Sequence, residues 1–174
     1  MINLKRILIT LVLFNTSAAI AAESVYQSPK DFLSATFSAP PDPQRLTLSG
    51  DLSKQVKAIL GHRYKKIRVP YWQDGCRSAW ILEEIGKERY ITTGFVVNAQ
   101  GLEKAKVLIF RESRGWEVKH DFFGQQFIGA NLTKKNKLDT HIDNISGATM
   151  SVNAVTNISR MALLLHKHIT KETC

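Results

Sequence analysis

The apolar residues of this chain fall into three successive patterns: a short helical stripe, a set of alternating runs and a long helical stripe. In LSGDLSKQVKAILGH, Leu52, Val56, Ile59 and Leu60 lie on one face of a 3.6-residue period, which predicts a short amphipathic helix. Asp51 or Ser53 is a candidate N-cap and Gly61 the stop. Four strand-like runs follow: RYKKIRVPYW, RSAWILEEI, RYITTGFVVN and LEKAKVLIFRES. The last two are joined by Ala99-Gln100-Gly101 and read as a hairpin. Lys104, Lys106 and Leu108 alternate with Ala105, Val107 and Ile109, which predicts one covered face and one wetter face.

From Gly115 to Asp143 the pattern is mixed, and Gly124, Gly129 and the TKKNK run mark loops. The final segment carries Val152, Val155, Ile158, Ala162, Leu165 and Ile169 at three- and four-residue steps, a long helix. Before the first helix, the proline- and serine-rich residues 22–45 read as an irregular lead-in. Helix, antiparallel strands, loop and helix in that order predict an α+β fold, an antiparallel sheet with flanking helices, as a single domain over residues 46–170.

Residues 1–21 stand apart from that domain. Lys5 and Arg6 precede the apolar run ILITLVLFNTSAAI, and Ala19-Ile20-Ala21 offers small residues at a cleavage site. This is the layout of a signal peptide. A membrane anchor is the competing reading, but Asn15, Thr16 and Ser17 interrupt the run, which falls short of the ~20 apolar residues of a span. The expected mature protein is exported, periplasmic in a bacterium, and does not span the membrane. Loss of Lys5 and Arg6 lowers the formal charge from +9 to +7, which leaves a moderately basic surface. Lys134, Lys135 and Lys137 either dock an acidic partner or form a solvated loop. Nucleic acid is not expected as a partner of an exported chain without a recognition motif. Cys76 and Cys174 are the two cysteines, and a disulfide between them is possible in an oxidising compartment. No spacing of histidines suggests a metal site.

The candidate chemistry lies where the long helix begins, at HIDNISGATM. A helix N-terminus offers unpaired N–H groups, and Gly147 and Ala148 leave room for an anion, with hydroxyls from Ser146, Thr149 and Ser151 nearby. The same residues suit a plain cap, with Ser146 or Thr149 satisfying the first turn. Local physics leaves both readings open.

The order of residues adds a resemblance. Asp143, Ser146, Gly147, Ala148 and Thr149 reproduce the pattern Asp, two variable residues, Ser or Thr, Gly, Ala, Thr. This pattern is similar to the flavinylation motif of FMN-binding-domain proteins. Upstream, Glu112, Ser113, Gly115, Gln126, Phe127 and Gly129 in FRESRGWEVKHDFFGQQFIG resemble that family's second region, and the likeness spans about residues 68 to 168. The resemblance implies an FMN-binding domain fold and FMN joined to Thr149 as a phosphoester. A dedicated flavin transferase would take that FMN from FAD. It further implies electron transfer from a membrane-bound donor to another exported redox protein. A flavin-dependent reductase of a small acceptor, or a non-redox module with a decayed flavin site, are the alternatives.

On that reading Gly115 gives close approach to the flavin, and Trp116 and Phe127 either wall the ring or are ordinary core aromatics. Glu112 either bonds the ring or pairs with Arg114 at the surface. Asp143 positions the hydroxyl, helps bind the transferase's metal, or is a first-turn cap. No acid–base pair in the sequence defines a substrate reaction.

Overall fold

The computed structural model describes residues 23–171. The signal-peptide reading of residues 1–21 and Cys174 of the candidate disulfide lie outside the described residues. Among the described residues, six strands form one antiparallel sheet: β1 Ser24–Val25, β2 Gln44–Thr47, β3 Arg68–Asp74, β4 Arg77–Ile85, β5 Tyr90–Asn98 and β6 Gly101–Phe110. Their spatial order is β1-β6-β5-β4-β3-β2. Strands β2 to β6 are therefore a meander, and the tight links at 75–76, 86–89 and 99–100 leave antiparallel neighbours as the only reachable partners. The helices are α1 Pro29–Ser34, α2 Gly50–Leu60, α3 Asp121–Gln125 and α4 Thr149–Thr170, with a 3-10 turn at Trp116–Lys119 ahead of α3. The α+β expectation agrees with this architecture.

Helix α4 lies across β4, β5 and β6, and α2 packs against α4. Val152, Val155, Ile158, Met161, Ala162 and Leu165 of α4 meet Trp80, Leu82, Phe95 and Val107 of the sheet in the main core. Burial of one such aliphatic side chain contributes about 1.5–3 kcal/mol, so this face fixes where the helix, and hence its first residue, must sit. The opposite sheet face carries a smaller cluster of Phe32, Leu33, Phe37, Ala79, Val96 and Leu108. Phe32 rests directly on β5: a Cβ at Gly94 would lie 2.6 Å from its ring. Covered on both faces, β5 is buried from Ile91 to Val97, which is why its sequence reads as a nearly continuous apolar run.

Several boundaries differ from the sequence reading. The described part of that lead-in, residues 23–45, is not irregular throughout: β1 pairs Ser24 with Phe110, α1 follows, and β2 begins at Gln44. Helix α1 starts on Ser28, whose Oγ accepts the Asp31 N–H at 3.0 Å and donates to Asp31 Oδ2 at 2.7 Å, a reciprocal cap. The N-cap of α2 is Ser49, neither Asp51 nor Ser53, while Gly61 ends it in the left-handed region at φ 83°. Strand β3 begins at Arg68, not Arg63, because Lys65 and Lys66 turn aside to pair with Glu83 at 2.8 and 3.3 Å. On β6, Lys104 and Lys106 are partly exposed as the alternation predicts, but Leu108 is buried. The register shift between Thr92 and Thr93 breaks the alternation, and α1 roofs that end of the wetter face.

Candidate functional site

The start of α4 is built by a turn. Ile145 accepts the Ala148 N–H at 2.9 Å, and Gly147 within that turn has φ +81° with nothing within 4 Å of where a Cβ would stand. Glycine supplies this conformation without strain and leaves open space beside the backbone. The N-cap is Ala148, and no side chain caps the helix. Neither Ser146 nor Thr149 takes the capping role, and both are exposed. Val152 is the first residue whose N–H closes an intrahelical bond onto Ala148, at 2.9 Å. The N–H groups of the preceding turn keep their partial positive charge at the surface. Thr149 Oγ1 accepts a hydrogen bond from Asn144 Nδ2 at 2.9 Å.

A second segment forms the facing wall. Glu112 Oε1 accepts three successive backbone N–H groups of the β4–β5 link, from Lys87 at 2.5 Å, Glu88 at 2.7 Å and Arg89 at 2.9 Å. Gly86 makes room for that carboxylate: a Cβ there would stand 2.8 Å from Glu112 Oε1. Three residues further on, Gly115 has φ +80° and is buried against α4, where a Cβ would meet Ser151 Oγ at 2.6 Å and Ala148 Cα at 3.3 Å. The segment from Glu112 to Gly115 therefore ties the β4–β5 link to the first turn of α4. Between them is a cleft of about 530 Å³, lined by Lys87, Glu112, Ser113, Arg114 and the helix start from Gly147 to Ser151. That volume lies in the range of small-molecule sites.

The structure brings Glu112, Ser113, Gly147, Ala148 and Thr149 of the sequence-predicted residues into this cleft, with Gly115 packed beneath it. Glu112 does not pair with Arg114; one of its oxygens is committed to backbone N–H groups. Ser146 stands on the turn and Asp143 before it, with Asp143 83% exposed and its Oδ1 3.5 Å from His141 Nε2. Gln126 acts from outside: its Oε1 accepts the Asp143 N–H at 2.7 Å. Phe127 is a core aromatic, 0% exposed and edge-on to Phe123 at 5.2 Å, and it is not part of the cleft lining. Trp116 is 46% exposed, edge-on to His120 at 5.6 Å, with Lys119 Nζ 4.6 Å from its ring centroid. It adjoins Gly115 in the chain but is not among the residues that line the cleft.

Sequence reasoning missed Lys87, Arg114 and Met150 in the cleft wall and Asn144 on the Thr149 hydroxyl. Lys87 sits in a hairpin link that carries no pattern of its own. Asn144 occupies a variable position of the motif. Chemically the cleft favours an anion: two cations and a helix N-terminus face a single carboxylate that is already hydrogen-bonded.

An α+β domain that presents an open helix start beside a cationic cleft is a domain suited to a phosphate-bearing ligand. The family comparison makes the class specific. The model of the FMN-binding domain matches residues 86–164, from the glycine that admits Glu112 to the middle of α4. That match supports an FMN-binding domain over residues 86–164. No curated protein and no solved structure matches the chain. The residues present fit the cofactor. Lys87, Arg114 and the first-turn N–H groups suit its phosphate, and the open space at Gly147 lets it reach the backbone. Among the described residues, no helix is long and apolar enough to cross a membrane.

Proposed function

We propose that the chain is an exported, periplasmic flavoprotein that carries FMN as a phosphoester on Thr149. In this role it passes electrons from a membrane-bound donor to another exported redox protein. The observation that carries the covalent reading is the state of Thr149 inside the DNISGAT turn. It is exposed at the first residue of α4, and its hydroxyl is not used as the helix cap. With Ala148 as the N-cap, Thr149 is the first helical residue, and it lines the cleft at the open helix start.

When bound, the flavin supplies the redox chemistry, and the chain supplies attachment, orientation and surroundings. Covalent attachment replaces a dissociation equilibrium with a high effective concentration at the cleft, which matters for a protein working outside the cytoplasm. A cleft open at the surface also leaves the cofactor within reach of a protein partner, which supports electron transfer over turnover of an enclosed substrate. A dedicated flavin transferase is the expected source of the FMN.

The test is co-expression of the secreted chain with a flavin transferase and FAD supply. Intact mass is expected to rise by FMN less water, and Thr149→Ala to abolish the rise. A wild-type mass that stays unmodified under those conditions sinks the covalent reading. FMN that survives denaturation of the Thr149→Ala variant relocates the attachment.

A further inference from the structure

The cleft explains where an anion goes but not why Thr149 Oγ1 points where it does. Two amide side chains hold the turn from opposite ends. Asn144 Nδ2 donates to Thr149 Oγ1 at 2.9 Å while its own Oδ1 accepts the Ile145 N–H at 3.0 Å. The Asn144 amide is thus fixed by one end and directs the hydroxyl with the other. Gln126, reaching across from the end of α3, accepts the Asp143 N–H at 2.7 Å. It pins the residue before Asn144, between Ile142 and Ile145, which pack partly buried against the core. With Ala148 bonded to Ile145 at 2.9 Å, the stretch from Asp143 to Thr149 is anchored at both ends although five of its seven residues are exposed.

We infer that Asn144 and Gln126 are positioning residues for the modification of Thr149, an inference that rests on Thr149 being the attachment point. In that step Thr149 Oγ1 attacks the phosphorus of the FMN half of FAD. A new P–O bond forms, the P–O bond to AMP breaks, and AMP leaves with the electron pair. The hydroxyl proton passes to a base of the transferase, and nothing is oxidised or reduced. A threonine oxygen has two lone pairs and one proton. The bond from Asn144 occupies one lone pair, so it fixes the side-chain rotamer while the second lone pair stays available and the O–H stays unengaged by the fold. Holding a nucleophile in one geometry is the part of such a barrier that an otherwise passive protein substrate can lower. Gln126 acts one step removed, by keeping Asn144 and the Asp143 carboxylate in register with the turn.

The experiment follows intact mass against time for the secreted chain with purified flavin transferase and FAD, at saturating chain concentration. Asn144→Asp separates positioning from local structure. It keeps the acceptor for the Ile145 N–H and loses the donor to Thr149. Asn144→Ala and Asn144→Asp are both expected to slow attachment by about five- to tenfold, the effect of one hydrogen bond, without a change in melting temperature. Gln126→Ala is expected to slow it similarly, and Gln126→Glu, which retains an acceptor, to keep most of the rate. In the flavin-free chain, amide exchange at Asp143 is expected to quicken in Gln126→Ala and not in Gln126→Glu. A wild-type rate for Asn144→Asp overturns the role of Asn144, and unchanged exchange and rate in Gln126→Ala overturn that of Gln126. No mass rise in the wild-type chain sinks the attachment reading itself, an outcome distinct from a wild-type rise with unslowed variants.

Discussion

Glu112 offers the sharpest quantitative prediction. Its Oε1 receives three N–H groups at 2.5, 2.7 and 2.9 Å, all from the link between β4 and β5. A hydrogen bond to a charged group contributes about 1.5–3 kcal/mol when its donor would otherwise be unpaired. Here the link is exposed, water can replace the lost acceptor, and three donors share one oxygen. The set is therefore worth about 1–2 kcal/mol in Glu112→Ala, less than a sum of three bonds. For a chain of this size that is a fall of about 3–6 °C in melting temperature. Gly86→Ala attacks the same contact from the other side, because its Cβ would stand 2.8 Å from Oε1 and 3.3 Å from Glu112 Cγ. It also meets Ile91 Cδ1 at 3.1 Å, a flexible side-chain end that can move.

The double variant discriminates. Once Glu112→Ala has removed the carboxylate, Gly86→Ala has little left to displace, so the two losses should fall short of additive by about 1 kcal/mol. Urea denaturation followed by tryptophan fluorescence measures all four corners of the cycle. Additive losses, or a Glu112→Ala variant within about one degree of wild type, would refute the claim that this carboxylate holds the link in place. In the additive case Glu112 would be free to serve the cofactor alone.

Two further outcomes follow from the same geometry. Gly115→Ala should destabilise the fold by about 2 kcal/mol or more and slow flavin attachment, because φ +80° strains any Cβ and Ser151 Oγ stands 2.6 Å away; melting and mass kinetics unaffected by the substitution would show that the turn can move off α4. At the far end of α4, Trp80 Nε1 donates to Ser78 Oγ at 2.8 Å, and Ser78 Oγ is hydrogen-bonded with His166 Nδ1 at 2.7 Å. Burial holds His166 below its usual value. The unfolded chain therefore binds the proton more readily, and stability is lost as pH falls below the ordinary imidazole value of about 6.5 toward the lowered one. His62 works with the opposite sign: its contact with the Arg63 carbonyl, helped by Glu84, raises its pKa. That contribution is present at low pH and is lost as pH rises through the raised value. Urea midpoints in a His62→Asn background should therefore fall more steeply on acidification, and a His166→Gln variant with the same acid slope would remove His166 as the cause.

The regular parts of the fold were legible because period and burial coincide. The long stripe from Val152 to Leu165 is one face of α4, and the four alternating runs are β3 to β6 within a few residues at their ends. The lead-in was not, because proline and serine richness reads as loop. Yet Ser28, Pro29 and Asp31 are a helix start with its cap, first-turn proline and acidic residue in place. Strand β1 has two residues, and its partner Phe110 is far along the chain, so no local pattern could announce it. Within the site, the motif around Thr149 was readable as residue types in order. The contacts of Glu112 were not, because its partners are backbone N–H groups that any residues at 87–89 would provide. Phe127 illustrates the converse. An aromatic beside a family-like loop looks like a cofactor wall, and only packing shows that its ring faces Phe123 in the core.

The missing cap of α4 has a structural cause that links these observations. Ala148 is 2% exposed because the buried Gly115 turn lies against it, with Ala148 Cβ 3.4 Å from where a Gly115 Cβ would be. A serine or aspartate at this N-cap would need space that the Gly115 turn already fills, so the best capping residues are excluded by packing. The contact that denies the helix its cap is also the one that seats the Glu112–Gly115 segment, with Glu112 gripping the hairpin link at the other end. Open N–H groups, a cationic wall and the cleft between them thus arise from one arrangement. The helix forgoes about 1 kcal/mol of capping, and the first turn stays open to an anion because the same two small residues bring both walls together.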